Sequence, residues 1–263
     1  MGVVYNNIWQ GILNSFLVTF FRFYSSPDGL PDDIVVFFFQ WLSYFSIWFA
    51  VSILIKMFIE QKENLLRFTT TMAKTLDSRD KYTASHSENA AKFSLEIAKE
   101  LGLSRSDCRN IELGAKLHDI GKIGIPESIL NKPGRLTEEE YELIKSHTVI
   151  GYNMVNHIKI FEKNDIFNAI LYHHERVDGT GYPEGLTGEQ IPIIAKIIAV
   201  ADSFDAMTST RVYRKSKSLQ YAVGEIKKYR GIHYDKEVVD AFLRVINHSE
   251  DIYFEDQENV KAK

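Results

Sequence analysis

The residues with the clearest chemical meaning in this chain are histidines and aspartates, most of which lie at or near the ends of predicted helices. The candidate metal ligands are His86, His118, Asp119, His147, His173, His174 and Asp202. Imidazole nitrogens and carboxylates are the ligands that divalent iron, manganese, zinc and cobalt accept, and one carboxylate can bridge two ions through its two oxygens. The set therefore predicts a metal site in which Asp119 is the candidate bridge.

Two adjacent pairs, His118-Asp119 and His173-His174, are each followed by residues that break a helix. The first pair is followed by the sequence IGKIGIP and the second by ERVDGTGYP. Neighbours inside a helix point about 100° apart and do not easily share an ion. At a helix end the chain can turn, so both members of a pair can converge on one site. Taken singly, each histidine would be interpreted as a surface or core residue.

Charged residues are distributed unevenly along the 263 residues of the chain. Before Lys56 the charged side chains are Arg22, Asp28, Asp32 and Asp33, whereas acidic and basic residues are dense from residue 60 onward. The composition of the first part of the chain therefore favours an apolar environment, and that of the rest favours water. The net charge of −4 argues against a protein that binds a nucleic acid polymer, since such proteins usually carry a basic excess.

Residues 34–56 are predicted to form a transmembrane helix. The run IVVFFFQWLSYFSIWFAVSILI contains no charged residue. At about 1.5 Å per residue it is long enough to cross a hydrocarbon core of about 30 Å. The alternative is a buried helix of a soluble core, but such a helix normally keeps a polar stripe.

Residues 3–21 form a second apolar run, which several amide side chains dilute. It is either a second span or a helix in the membrane interface. A cleaved signal peptide fits poorly, because no basic residue precedes the run. Lys56, Lys62 and Arg67 follow the 34–56 segment, and positive charge favours the cytoplasmic side. We expect residues 1–59 to form a helical hairpin in the cytoplasmic membrane, with the rest of the chain in the cytoplasm.

Residues 60–82 are predicted to form a linking helix that continues the second span. Leu65, Phe68, Met72 and Leu76 recur at intervals of three and four, which places them on one apolar stripe. Through this stripe the linking helices of two copies would pair and form a homodimer.

The chain beyond residue 82 has helical spacing of apolar residues and no sustained alternation of polar and apolar residues. Helices are predicted over 84–101, 105–118, 138–157, 163–174, 192–208, 218–229 and 235–247. We expect stretches without regular structure at 120–135 and 175–190, and a loose polar tail over 249–263. Residues 83–248 are therefore predicted to form one all-α domain.

Three stretches carry a resemblance to a known family. They are HDIGKIGIPESILNKPGRLTEEEYELIKSHTVIG, YHHERVDGTGYPEGLTGEQIP and ADSFDAMTSTRVYRK. In order and spacing they are similar to the HD-GYP subgroup of the HD phosphohydrolases, and the similarity runs from about Phe68 to Val245. The resemblance implies that the 83–248 domain is catalytic and is an HD-type helical bundle with a dinuclear metal site.

The resemblance also implies which residues bind which ion. One divalent metal would be held by His86, His118, Asp119 and Asp202, and the second by Asp119, His147, His173 and His174. Iron or manganese is the expected metal, with zinc, cobalt, nickel or magnesium as alternatives. Asp119 and a hydroxide would both bridge the two ions, and the hydroxide would attack the phosphorus of a phosphodiester. Lys122 would neutralise a phosphate oxygen or assist the leaving group; without the family pattern it would be interpreted as an ordinary exposed lysine.

Further residues are candidates for substrate contacts. Arg211 and Arg214 lie three residues apart and either grip phosphates from one helix face or form surface ion pairs. Tyr182, in the Gly-Tyr-Pro turn, either stacks on a guanine or locks the loop. Glu175 and Asp178 are expected to orient the histidines from outside the ligand shell.

The resemblance implies a phosphodiesterase that hydrolyses cyclic di-GMP, with either linear pGpG or GMP as the end product. Some family members recruit a third metal through a glutamate four residues before the first histidine. The residue here is Tyr82, so two metals are expected. One alternative is a non-catalytic module that binds a cyclic dinucleotide or a signalling partner such as a diguanylate cyclase domain. The other is a phosphodiesterase for a different cyclic dinucleotide.

Overall fold

The described part of the protein is helical. The computed structural model describes residues 8–25, 34–79, 86–162, 165–209 and 217–261. Within these ranges the chain forms helices and no strand, which confirms the all-α prediction. The helices are α1 (Ile8–Tyr24), α2 (Ile34–Arg79), α3 (His86–Glu100), α4 (Arg105–Leu117), α5 (Glu127–Leu130), α6 (Glu138–Lys145), α7 (His147–Val155), α8 (Lys159–Glu162), α9 (Ile166–Tyr172), α10 (Ile193–Thr208), α11 (Leu219–Lys228) and α12 (Lys236–Lys261).

The chain divides into two compact units, residues 1–68 and 69–263. Helix α2 runs without interruption for 46 residues, a length of about 70 Å. It includes the predicted span 34–56 and most of the predicted linking helix 60–82. Its segment Ile34–Met72 is long and apolar enough to cross a membrane, and it is the one such segment in the described ranges.

In the first unit α1 contacts α2 through polar and aromatic side chains. Trp41 Nε1 donates a hydrogen bond to Ser15 Oγ at 3.1 Å. The rings of Phe16 and Phe37 meet edge to face, with centroids 5.8 Å apart. The predicted helix over 3–21 corresponds to α1, although its first residues lie outside the described ranges.

The hydrophobic core of the second unit is built around α10. This helix buries apolar residues around most of its circumference between Ile194 and Phe204, a pattern typical of a central helix. The Phe204 ring contacts Phe93 of α3 at 4.8 Å and Phe242 of α12 at 5.0 Å between centroids. Carboxylates carried by α10 therefore lie inside the domain.

A short 3-10 helix, Ile120–Gly124, follows the His118-Asp119 pair and packs against α7. At Gly121, an added side chain would overlap the carbonyl oxygen of His147 and the backbone nitrogen of Gly151. Glycine is therefore required for this close approach of two backbones. The contact holds the histidine–aspartate pair against the helix that begins at His147.

We expect Gly121→Ala to lower the free energy of unfolding by about 2–3 kcal/mol, because the methyl group meets backbone atoms that cannot move aside independently. The matched control is Gly224→Ala in α11, where an added Cβ meets no atom within 4 Å. This change should raise stability by up to about 1 kcal/mol, the helix preference of alanine over glycine. Chemical denaturation of the two variants measures both effects, and equal stability would contradict the packing described for Gly121.

Two predicted helices differ in the structure. The helix predicted over 138–157 is two helices, α6 and α7, with a turn at Ser146. The Ser146 hydroxyl donates a hydrogen bond to the Leu143 carbonyl oxygen at 2.6 Å, and such bonds to the preceding turn bend helices. The helix predicted over 235–247 continues as α12 to Lys261, because the tail contains no glycine or proline that would stop it.

The two stretches expected to lack regular structure contain short helical turns. The first includes the 3-10 helix Ile120–Gly124 and α5, and the second includes a 3-10 helix at Gly188–Gln190. These turns are only three to five residues long, too short to produce a helical period in the sequence.

Candidate metal centre

The seven candidate ligands converge in the second unit. His86 begins α3, His147 begins α7, and the two adjacent pairs follow the ends of α4 and α9. Asp202 lies within α10. His118, His147 and His173 are each 1% exposed, so the centre lies inside the domain.

The first cluster of donor atoms comprises His86, His118, Asp119 and Asp202. His86 Nε2 lies 3.2 Å from Asp202 Oδ1 and 3.7 Å from Asp119 Oδ2. His118 Nε2 lies 3.4 Å from Asp119 Oδ2 and 3.9 Å from Asp202 Oδ1. The donors of His86, His118 and Asp119 lie within 4.8 Å of one another, close enough for one ion to contact all three.

The second cluster comprises Asp119, His147, His173 and His174, whose donor atoms also lie within 4.8 Å of one another. His147 Nε2 lies 3.3 Å from Asp119 Oδ1 and 3.4 Å from His173 Nε2. Asp119 belongs to both clusters. Its Oδ2 lies nearest His118 of the first cluster and its Oδ1 lies nearest His147 of the second.

Backbone carbonyls set the orientation of three of the histidine rings. In each case the ring Nδ1 lies close to the backbone carbonyl oxygen of the residue three positions earlier. The distance is 2.6 Å for His118, 2.7 Å for His147 and 3.0 Å for His173. A carbonyl only accepts, so each Nδ1 carries the proton and each Nε2 presents a lone pair to the centre. The lone pairs of His147 and His173 face each other and repel unless a cation lies between them.

His118 supplies a test of whether these residues fit a metal ion. Its Nε2 atom is buried and has no hydrogen-bond partner among the described residues. Leaving a buried polar atom unpaired costs about 1–3 kcal/mol. A divalent ion bound to this nitrogen would remove that cost, so the donor set fits a metal.

The electrostatics of the centre favour the metal-binding forms of several ligands. Burial opposes ionisation of Asp119, but the charge of Lys122 outweighs burial and holds its pKa well below the usual range. Burial lowers the pKa of His174 to about 3 and holds that of His173 well below its ordinary value. At pH 7 this carboxylate is charged and these two imidazoles are neutral, as metal ligands must be.

His86 differs from these ligands. Burial opposes its protonation, but hydrogen bonds with Asp202 and Asp205 outweigh burial and raise its pKa to about 10. An incoming ion must therefore displace a proton at pH 7. We expect binding to release at least one proton per chain and the apparent affinity to fall by about tenfold per pH unit as the pH drops below about 10, the pKa of His86. Calorimetric titration in buffers of different protonation enthalpy measures this release, and heats independent of the buffer would contradict it.

Asp205 is part of the site and was missed by sequence reasoning. It is 2% exposed, and its Oδ2 lies 2.7 Å from His86 Nδ1. Its Oδ1 accepts hydrogen bonds from Asn89 Nδ2 and Ser209 Oγ, each at 2.8 Å. The spacing Asp202-x-x-Asp205 places both carboxylates on one face of α10. This spacing was the sequence feature that could have indicated Asp205 as a site residue.

We expect Asp205→Ala to weaken binding of metal at the first cluster by about 10–100-fold, because the partner that orients the His86 ring is lost. Asp240→Ala is the matched control, since Asp240 forms an exposed ion pair with Arg230. Competition with a chelating dye measures both affinities. An unchanged affinity in Asp205→Ala would show that His86 needs no such support.

The Gly-Tyr-Pro turn lies directly against the second cluster. The Tyr182 ring is tilted by 32° against the His174 ring, with centroids 4.7 Å apart. A side chain at Gly181 would overlap the backbone at His174 and Glu175. Packing of Tyr182 on a candidate ligand is the contact expected of a tyrosine that locks the loop.

Glu175 and Asp178 do not contact the histidines in the way the sequence suggested. The buried Glu175 carboxylate accepts hydrogen bonds from the backbone N–H groups of residues 184–186, at 2.7–3.1 Å. Asp178 accepts hydrogen bonds from Thr180 and lies 4.0 Å from His233. Both carboxylates therefore organise the loop that carries Tyr182, because unpaired N–H groups in a tight turn are their nearest donors.

Of the three basic residues predicted to contact the substrate, the structure describes Lys122 but not the two arginines. Lys122 Nζ lies 2.6 Å from Asp119 Oδ2, at the edge of the first cluster. Arg211, Arg214 and Tyr82 lie outside the described residues, so their assignments stay predictions.

In this helical domain, a histidine–aspartate pair and a histidine–histidine pair from helix ends meet around one shared aspartate. This arrangement is typical of HD-type domains. The HD domain family matches residues 70–238. A cyclic di-GMP phosphodiesterase of Thermotoga maritima is 42% identical over 198 residues, covering 75% of this chain and 54% of that protein. A 3′3′-cGAMP-specific phosphodiesterase of Vibrio cholerae is 36% identical over 191 residues, covering 71% of this chain and 44% of that protein.

Among solved structures, the HDG"Y"P protein Bd1817 of Bdellovibrio bacteriovorus shares the fold, with a TM-score of 0.52 and 18% identity over 94% of this chain and 75% of that chain. The match to the HD domain family shows that the chain belongs to it, and the relatives named as cyclic dinucleotide phosphodiesterases confirm the resemblance to the HD-GYP subgroup. The chain spans about half the length of the curated relatives it matches.

Proposed function

We propose that this protein is a metal-dependent phosphodiesterase that hydrolyses cyclic di-GMP to linear pGpG, with further cleavage to GMP as the alternative end point. The proposal is carried by Asp119, whose two oxygens face different sets of histidines. A carboxylate so placed can hold two divalent ions side by side, an arrangement suited to in-line displacement at phosphorus. The activity for which the Thermotoga maritima relative is named supports cyclic di-GMP as the substrate.

Two ions complete the proposed site, with iron or manganese preferred and zinc, cobalt, nickel or magnesium as alternatives. One would be bound by His86, His118, Asp119 and Asp202, and the other by Asp119, His147, His173 and His174. When bound, the ions would activate a water for attack and neutralise charge on the phosphate. The chain's own contribution is a buried set of oriented lone pairs, which needs no rearrangement when the substrate arrives.

Lys122 is proposed to bind a non-bridging phosphate oxygen. Its ammonium group contacts Asp119 and its side chain is 24% exposed, so it reaches from the centre toward solvent. A cation placed there would stabilise charge that develops on the phosphate during displacement. Arg211 and Arg214 are proposed to bind phosphate groups, and Tyr182 to contact a base or to hold the loop.

Helix α2 supports a location at the cytoplasmic membrane. Its apolar side chains are exposed in the fold, among them Ile34 at 80% and Phe39 at 64%. Soluble proteins rarely expose so extended an apolar surface, whereas lipid would cover it. The proposal also includes a cytoplasmic catalytic domain, a homodimer through residues 60–82 and a diguanylate cyclase domain as partner.

A different cyclic dinucleotide is the second candidate substrate, favoured by the Vibrio cholerae relative that is named for cGAMP. A non-catalytic module that binds a cyclic dinucleotide is the third candidate. It is less well supported, because a binding module needs no pair of clusters that share a carboxylate.

Substrate profiling of the full chain in detergent tests the proposal. The protein is loaded anaerobically with Fe(II) or with Mn(II) and given cyclic di-GMP, cGAMP or cyclic di-AMP. We expect linear pGpG from cyclic di-GMP at the highest kcat/KM. Preferential turnover of cGAMP would support the second candidate, and bound nucleotide with two ions but no turnover would support the third.

A further inference from the structure

Lys145 and Tyr141 form an exposed pair at the end of α6 that the proposed chemistry does not use. Lys145 Nζ lies 5.2 Å from the centroid of the Tyr141 ring and 5.8 Å from that of the Tyr182 ring, within the range of a cation–π contact. The Tyr141 residue is 45% exposed and the Lys145 side chain is 24% exposed. A ligand can therefore reach both side chains.

This pair is joined to the metal centre by one aromatic ring. Tyr182 contacts Lys145 and also packs against the ring of His174, with centroids 4.7 Å apart. Lys145 also lies only two residues before His147 in the chain. The side chains of Tyr141, Lys145 and Tyr182 thus form a wall that extends from the second cluster to the surface.

The charges around Lys145 indicate which part of a ligand this wall would contact. The ammonium is paired with Glu142, and the first turn of α6 carries three acidic residues. A phosphate would meet a cation that is already neutralised and further acids nearby. A flat, neutral heterocycle with acceptor atoms on its edge would meet two aromatic faces and a donor.

We propose that Tyr141 and Lys145 form a subsite for a guanine base of the substrate, an inference that rests on the proposed cyclic dinucleotide phosphodiesterase function. The base stacks on the exposed Tyr141 ring, as bases stack on aromatic side chains in other nucleotide sites. Lys145 donates to O6 and N7, the two adjacent acceptors of guanine. Adenine presents a donor beside N7 and so opposes the ammonium. The subsite therefore selects guanine over adenine.

A contact between a lysine and a tyrosine is not in itself distinctive in this fold. Lys228 lies 4.9 Å from the Tyr229 ring centroid and pairs with Glu225, which repeats the local arrangement of Lys145, Tyr141 and Glu142. Lys145 differs in its second contact, with the tyrosine that packs on His174. Lys228→Met is therefore a matched control for Lys145→Met.

The test compares kcat/KM for cyclic di-GMP and cyclic di-AMP in Lys145→Met, Lys145→Arg and Lys228→Met, with full-length protein loaded with Mn(II). We expect Lys145→Met to lower the preference for cyclic di-GMP by roughly tenfold, mainly through KM, as the loss of one base-edge contact would. Lys145→Arg should keep most of the preference, and Lys228→Met should match the wild type. Tyr141→Ala should raise KM for both substrates by roughly tenfold, while Tyr141→Phe keeps the stacking surface.

Hydrolysis of bis(p-nitrophenyl) phosphate, which has no purine, separates this inference from the proposed function. All five variants should hydrolyse it at the wild-type rate and retain the wild-type metal content. Wild-type protein that cleaves this ester but not cyclic di-GMP would overturn the proposed function, and the subsite with it. Wild-type turnover of cyclic di-GMP with unchanged KM and preference in Lys145→Met would overturn the subsite alone. Loss of metal or of ester hydrolysis in Lys145→Met would also overturn it, because Lys145 would then support the centre.

Discussion

Replacing Asp119 with alanine is expected to remove both metal ions and to lower kcat for cyclic di-GMP by at least about a thousand-fold. The two oxygens of Asp119 are shared between the clusters, so one substitution damages both. Stabilisation of transition-state charge by bound metals is worth several kcal/mol, and each 1.36 kcal/mol is a factor of ten in rate. Turnover assays combined with elemental analysis of the purified variant measure the two effects.

Two controls separate this effect from damage to the fold. Asp119→Asn keeps the shape and one carbonyl oxygen, so it should fold normally yet bind metal poorly. Asp240→Ala removes an exposed carboxylate that pairs with Arg230 and should leave activity unchanged. If Asp119→Ala retained more than a tenth of wild-type activity, the shared carboxylate would not be the centre of the mechanism.

Lys122→Met is expected to lower kcat by about 100- to 1,000-fold, the cost of removing one preorganised charge from a displacement site. Both metal ions should remain, because Lys122 is not a ligand and its removal takes a competing cation away from Asp119. Lys122→Arg should recover part of the loss, since it restores the charge. Steady-state kinetics with metal analysis on the same preparations separates the effect on rate from an effect on metal content.

Lys116→Met is the matched control for Lys122→Met, because Lys116 lies on α4 and pairs with Glu112 and Glu88 away from the shared aspartate. It should keep wild-type kcat. A Lys122→Met enzyme within about threefold of wild type would assign Lys122 a structural role, and one that lost its metals would make it a support of Asp119.

The two adjacent ligand pairs could be singled out because they lie where helices end. Helix-breaking residues after His118-Asp119 and His173-His174 mark such ends in the sequence, and the structure places both pairs there. The same geometry explains why the rings are well oriented. A histidine at a helix terminus can donate from Nδ1 to a carbonyl of the preceding turn, as His118 does to Ala115, and its Nε2 then faces away from the helix.

Asp205 could not be singled out by the same reasoning. An aspartate inside an amphipathic helix usually faces solvent, and only the packing of α10 against α3 brings Asp205 beside His86. Glu175 was misassigned for a related reason. Its position beside His174 suggested a histidine partner, but the backbone N–H groups of the following turn are closer donors.

The break at Ser146 also depends on tertiary contacts. The sequence EEEYELIKSHTVIGYNMV has continuous helical spacing, so no local signal separates α6 from α7. The Ser146 hydroxyl bends the helix at this point, and the Gly121 backbone then lies against His147 and Gly151 of α7. Such a contact joins segments far apart in the sequence and cannot be predicted from either segment alone.

The number of metal ions per chain tests the central claim most directly. Inductively coupled plasma mass spectrometry is performed on the wild type and on His86→Ala, His147→Ala and Asp119→Ala, each purified with Mn(II) in excess and then desalted. If the two clusters share Asp119, we expect about two ions per chain in the wild type. Each histidine variant should retain about one ion, and Asp119→Ala should retain close to none. One ion in the wild type, or two retained in Asp119→Ala, would contradict the shared dinuclear centre.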